Sequence, residues 1–133
     1  MMSDKECDQL AQGWIRYKRG SPVESPAWEA LALLTAQDPE SAWRVTLRLI
    51  DLARESALLL DVGAGQLEEL VSESPALFVD RIEQLAVTDS AFKTALSYVW
   101  LSDAASDVSK RLIALGCTYV SAEDRALFDL PKR

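Results

Sequence analysis

Asp38-Pro39-Glu40-Ser41-Ala42-Trp43-Arg44-Val45-Thr46-Leu47-Arg48-Leu49-Ile50-Asp51-Leu52-Ala53-Arg54-Glu55 opens on a helix start signal and then keeps to helical periodicity. Asp38 offers a capping carboxylate, Pro39 loses no needed donor at the first helical position, and Glu40 faces the positive end of the helix dipole. At 100° per residue the charges Glu40, Arg44, Arg48, Asp51 and Glu55 fall within an arc of about 80°. Ala42, Trp43, Val45, Leu47, Leu49, Ile50, Leu52 and Ala53 wrap most of what remains. Such a helix needs neighbours on two or three sides, so it is expected at the centre of the fold, exposed along one narrow charged strip. On that strip Glu40 with Arg44, and Arg48 with Asp51, stand at helical-neighbour spacing. Exposed pairs of this kind contribute only about 0.2–0.5 kcal/mol each, and a solvated face is the expectation.

The words Ser41-Ala42-Trp43-Arg44-Val45-Thr46-Leu47 return 49 residues later as Ser90-Ala91-Phe92-Lys93-Thr94-Ala95-Leu96. The echo suggests a helical hairpin used twice, each copy too small to bury its apolar face alone. Upstream, Cys7, Leu10, Ala11, Trp14 and Ile15 space a first amphipathic helix that Gly20 is placed to end. Ser21-Pro22 and Ser25-Pro26 signal a second helix carrying Trp28, Leu31 and Leu34 inward. Downstream, Ala57-Leu58-Leu59-Leu60 forms a short apolar helix, Gly63-Ala64-Gly65 reads as a break or tight junction, and Leu67, Leu70 and Val71 add a turn or two. Ser74-Pro75 opens a helix with Leu77, Phe78, Ile82 and Leu85 inward. Thr88-Asp89 opens another with Phe92, Ala95, Leu96 and Val99, and Trp100 closes that layer. Ala105, Val108, Leu112 and Leu115 make a stripe ended by Gly116, and Ser121 with Asp124 caps a last turn that holds Leu127 and Phe128 near the core. Cys117-Thr118-Tyr119-Val120 has strand-like residues but no visible partner. The expectation is an all-α single domain over residues 1–133, of about six to eight helices, arranged as HEAT-like stacked hairpins or as an irregular bundle.

Composition removes several classes of function. None of the 133 residues is histidine, so imidazole bases, shuttles and ligands are excluded, and with them serine and cysteine triads. Cys7 and Cys117 are too far apart in sequence for a local zinc or dithiol motif and are expected as packed thiols, joined only if the chain ends meet. Gly63-Ala64-Gly65 lacks the lysine, the further glycine and the preceding strand of a phosphate loop. Apolar content of 49% suits a core, whereas no leader-like segment and no run of about 18 apolar residues appears, which points to a cytoplasmic chain without membrane contact. A net charge of −7 argues against a nucleic-acid surface, the basic group Arg16, Lys18 and Arg19 standing where a helix C-terminus favours cations. No cofactor, catalytic residue or metal ligand set is expected, and the oligomeric state is open.

Several short words resemble a known family: Trp14 with Tyr17, Ala27-Trp28-Glu29-Ala30-Leu31, Asp38-Pro39-Glu40 with Ala42-Trp43-Arg44, Gly63 to Gly65 with Leu67-Glu68-Glu69-Leu70, Arg81-Ile82-Glu83, and Val99-Trp100. The chain resembles a family of small acidic bacterial proteins of unknown function, defined by a helical domain rich in tryptophan. The likeness covers roughly residues 14–100, leaves 101–133 unplaced, and implies a helical fold with no assigned reaction.

Charge asymmetry is what remains to carry function. Between Asp51 and Asp80 stand seven acids and one base, Arg54, which accounts for six of the seven net negative charges. The first expectation is therefore a non-catalytic interaction module of inhibitor, immunity or adaptor type, docking a basic protein on Asp61, Glu68, Glu69 and Glu73. A second is a magnesium-dependent hydrolase like the all-α nucleotide pyrophosphatases, with Glu69 and Glu73 facing Asp80 and Glu83. A third is a small-ligand-binding helical protein lined by tryptophans, although Trp14, Trp28, Trp43 and Trp100 all hold core-like helical positions.

Overall fold

Ser3 starts the first helix by a reciprocal cap: its hydroxyl accepts from the Glu6 N–H at 3.1 Å while the Glu6 carboxylate accepts from the Ser3 N–H at 2.8 Å. This helix, α1 (Asp4–Lys18), ends at Arg19 with Gly20 in the left-handed region at φ 100°. The structure, a computed structural model, describes residues 2–21 and 25–128, without the side chains of Ser25 and Phe128. The start signals at Pro22 and Ser25 and the anchoring role of Phe128 therefore lie outside the described residues. After α2 (Ser25–Gln37) a single residue, Asp38, turns the chain into α3 (Pro39–Ala53), its carboxylate accepting from both the N–H and the hydroxyl of Ser41 at 3.2 and 2.7 Å.

Helix α4 (Leu58–Asp61) runs without interruption into a π-helical segment (Val62–Leu67) and then α5 (Glu68–Glu73). The Gly63-Ala64-Gly65 break is thus a widened helical turn. Pro75 begins α6 (Pro75–Thr88), and Asp89 caps α7 (Ser90–Leu96) by accepting from the Ala91 and Phe92 N–H groups at 3.0 and 3.2 Å. There follow β1 (Trp100–Leu101), α8 (Asp107–Leu115), β2 (Thr118–Tyr119) and α9 (Ala122–Phe128). Because α7 stops after two turns, Val99 to Leu101 run extended and supply the partner that the segment around Thr118 lacked in the sequence reading. The two pair in parallel, Trp100 with Thr118 and Leu101 with Tyr119. Among the described residues the fold is otherwise all-α.

The echo of Ser41–Leu47 in Ser90–Leu96 is real at the junctions, where one aspartate caps each helix. It ends there, since α3 has 15 residues and α7 has seven. Helix α3 is central, packed against α1, α2, α4, the π segment, α5 and α7. Its Trp43 ring stacks on Phe78 at 4.9 Å and meets Phe92 edge-on at 6.0 Å. Three residues expected inward face solvent instead: Trp28, Leu77 and Leu127 are 46%, 44% and 79% exposed. Both cysteines are buried free thiols, and burial pushes Cys117 up to about 12.

The charged strip of α3 is clasped by its neighbours. Glu40 binds Arg81 of α6 through two bonds of 2.7 Å in place of Arg44. Arg44 reaches Asp4 and, at 2.6 Å, the Met2 carbonyl, so the expected Glu40–Arg44 pair is absent because each side chain has a better-placed partner on another element. Arg48 bridges Asp8 of α1 and Asp51 within α3, the one pair anticipated. Arg54 donates to both oxygens of Asp89 at 2.9 and 3.1 Å, tying the end of α3 to the cap of α7.

These carboxylates set an acid limit on the fold. Asp103 accepts from the Ala105 and Ser106 N–H groups and the Ser109 hydroxyl, which holds its carboxyl at about 2 against an ordinary 3.8. Hydrogen bonds to Arg48, Ser41, Arg81 and Arg54 lower Asp8, Asp38, Glu40 and Asp89 in the same direction. A folded-state pKa below the unfolded one adds stability that is complete above the unfolded value and lost as pH falls through the folded one. The melting temperature is expected to hold at neutral pH and fall between about pH 4 and pH 2. Asp103→Asn should lower the neutral value and make the acid fall shallower, a comparison that melts followed by circular dichroism across this range will check.

Candidate functional site

One cleft runs along the central helix, and a second opens between α1, α2 and the π segment. The larger, about 620 Å³, has Leu47, Ile50 and Phe92 in its floor and Arg44, Arg48 and Arg54 on its rim. Each of those guanidiniums is bound to an aspartate, so an incoming anion would have to displace an internal partner. The arrangement is a seam that holds α1 and α7 to α3.

The smaller cleft, about 410 Å³, is built differently. Helix α2 carries Glu29 as its one charge among the residues Ser25–Gln37, yet only part of that apolar surface is covered. Leu31 and Thr35 are buried, while Trp28, Leu33, Ala30 and Ala32 face outward. Against Trp28 and Ala32 stand Trp14 and Lys18 from α1 and Ala64, Gly65 and Gln66 from the π segment, with Glu68 and Glu69 closing one end. The Lys18 ammonium lies 5.3 Å from the centre of the Trp14 ring, a cation–π contact within the protein. A Cβ at Gly65 would meet nothing within 4 Å, so the space beside that residue is open.

Its floor rests on a buried polar knot. The Gln66 amide nitrogen donates to the hydroxyls of Thr35 and Thr46 at 3.0 and 3.2 Å. Those hydroxyls in turn donate to the Leu31 and Ala42 carbonyls at 2.9 and 2.7 Å. The widened π turn is what swings Gln66 inward between α2 and α3. Sequence reasoning passed over this residue, although one signal was present: Thr46 lies inside the apolar arc of α3, where a lone hydroxyl calls for a buried partner.

Of the acids singled out from sequence, Glu68 and Glu69 reach the cleft, while Asp61 and Glu73 do not line it. Glu68 also has a structural task, accepting from the Trp100 N–H at 2.7 Å and facing Arg125 at 3.8 Å. Glu69 and Glu73 are exposed and Asp61 is half-buried. Asp80 and Glu83 turn together onto Arg111, at 2.7 and 3.4 Å, away from the role of a shared cation cage. Among the described residues no three His, Cys, Asp or Glu side chains converge to hold a metal ion, and no helix is long and apolar enough to cross a membrane.

The model of a family of unknown function, DUF6869, matches residues 18–119, and the chain belongs to that family. The match takes in every word of the resemblance except Trp14 and Tyr17, and it runs on past Trp100 through β1, α8 and β2. No curated protein and no solved structure matches the chain.

Proposed function

We propose that this member of the DUF6869 family is a non-catalytic protein–protein interaction module that takes a basic segment of a partner against Trp28 and the Glu68–Glu69 end of the smaller cleft. The observation that carries the reading is Trp28 itself, 46% exposed on a helix with a single charge. A large aromatic side chain left in water beside carboxylates offers apolar area at low entropic cost together with a complementary charge. The acidic balance of the chain, −7 overall, adds long-range attraction for a basic surface. An inhibitor, an immunity protein or an adaptor needs no more than this.

The test is photo-crosslinking from position 28, in extracts of the cells that make the protein. One adduct is expected, joined through a lysine- or arginine-rich segment of its partner, formed at low salt and lost at high salt. Glu69→Lys should weaken that association by roughly tenfold while the melting curve is kept. An adduct through an uncharged segment, one indifferent to both salt and Glu69→Lys, or no adduct at all overturns the reading.

A further inference from the structure

Each threonine hydroxyl of the buried knot has one hydrogen and gives it to a helix carbonyl: Thr35 to Leu31, Thr46 to Ala42. Each hydroxyl can therefore only accept from Gln66, which orients the amide with its nitrogen toward the threonines and both of its hydrogens engaged. The carbonyl oxygen Oε1 is then turned away from both threonines, and Gln66 is one of the residues that line the cleft. Gln66 is 6% exposed, and no buried side-chain nitrogen or oxygen among the described residues lacks a hydrogen-bond partner. Neither bond of the knot uses Oε1, so this acceptor, held in place by two fixed bonds, is not a sealed-off orphan and is open to a donor entering the cleft that Gln66 lines.

Around that acceptor stand groups of one chemical preference. Trp28 presents exposed aromatic surface while Trp14 is buried, Glu69 supplies an exposed carboxylate beside that of Glu68, which already accepts from the Trp100 N–H, and Ala32, Ala64 and Gly65 add no side-chain donor. The one side-chain cation in the lining, Lys18, lies over the Trp14 ring. A planar cation with several N–H donors answers all three kinds of surface, since it stacks on an indole, donates to a carboxylate and donates again to an amide oxygen. Guanidinium is also more weakly hydrated than ammonium and gives up less on entering a site floored by buried groups. From this geometry we infer that the smaller cleft is a guanidinium pocket, which receives an arginine side chain from the partner's basic segment with Gln66 Oε1 as its innermost acceptor. The inference rests on the reading of the protein as an interaction module and names the residue that module recognises.

The probes are N-acetyl-arginine amide, its lysine counterpart and its citrulline counterpart, the last having the shape of arginine without its charge. Titration followed by calorimetry and tryptophan fluorescence should show the arginine amide binding at least tenfold more tightly than either of the others. Gln66→Met removes the acceptor while keeping the length of the side chain, and should abolish that preference. Because this change also disturbs the knot, Gly65→Leu provides a second arm that fills the opening and leaves Thr35, Thr46 and Gln66 untouched. It too should lose the arginine amide while remaining folded by circular dichroism. Equal binding of the arginine and citrulline amides, no binding of the arginine amide, or undiminished binding by Gly65→Leu overturns the pocket. The two readings fail separately. A partner crosslinked through position 28 that binds Gly65→Leu normally leaves the module standing without the pocket, and arginine amide bound with no partner crosslinked leaves the pocket without the module.

Discussion

Gly63→Ala is expected to lower the melting temperature by roughly 10 °C, whereas Gly65→Ala, two residues on in the same turn, should leave it unchanged or raise it slightly. A methyl at position 63 would fall on the Ala95 carbonyl oxygen, with the Ala95 carbonyl carbon 3.0 Å and the Tyr98 Cβ 3.1 Å away. The first of these neighbours is backbone, so relief requires α7 to move as a body. Overpacking of a close helix contact costs about 1–3 kcal/mol or more, and the gain from replacing a helical glycine returns about 0.5–1 kcal/mol of it. A cost near the upper end is expected, because α7 is also held by Arg54 on Asp89 and by the edge contact of Phe92 with Trp43, and a displaced helix strains both. At Gly65 nothing stands within 4 Å, so only the gain applies. Thermal melts of the two variants decide the matter: equal shifts would mean that the glycine at 63 does not serve the close approach of α7.

The sequence and the structure part company where an interaction joins distant elements. Helix starts at Asp38, Asp89 and Ser121 were legible because a cap and the N–H group that donates to it lie within three residues of one another. The central place of α3 was legible because its apolar arc is too wide for a surface helix. The partners of its charges were not. Glu40 with Arg81 and Arg48 with Asp8 are separated by 41 and 40 residues, and periodicity carries no information across such spans. The same holds for the parallel pairing of Trp100 with Thr118. At the site, the acids Glu68 and Glu69 were found by charge counting, while the exposure of Trp28 ran against the pattern of its helix, and Gln66 carried no local mark. What decides each of these is which helix packs on which.

The Trp43 contacts show how much rests on one such packing, and Trp43→Ala is expected to cost about 4 kcal/mol, the scale seen when a large buried aromatic is truncated. The ring is 6% exposed and touches aromatic partners on two other helices: Phe78 of α6, stacked at an interplanar angle of 8°, and Phe92 of α7, edge-on at 65°. Arg81, itself bound to Glu40, lies 5.3 Å from the same Phe78 ring, so α3 and α6 meet through an ion pair and an aromatic stack at one place. Removing the indole leaves a cavity among Phe78, Phe92 and their helices that the short α7 is poorly able to close. Trp43→Phe should cost distinctly less, because a smaller ring still fills part of the space. Combining Trp43→Ala with Phe78→Leu should cost less than the two changes added, by about 0.5–1.5 kcal/mol, since the stack can be lost only once. Urea unfolding of the two single variants and the double variant measures this coupling, and strict additivity would show that the two rings fill space independently and that the stack adds nothing of its own.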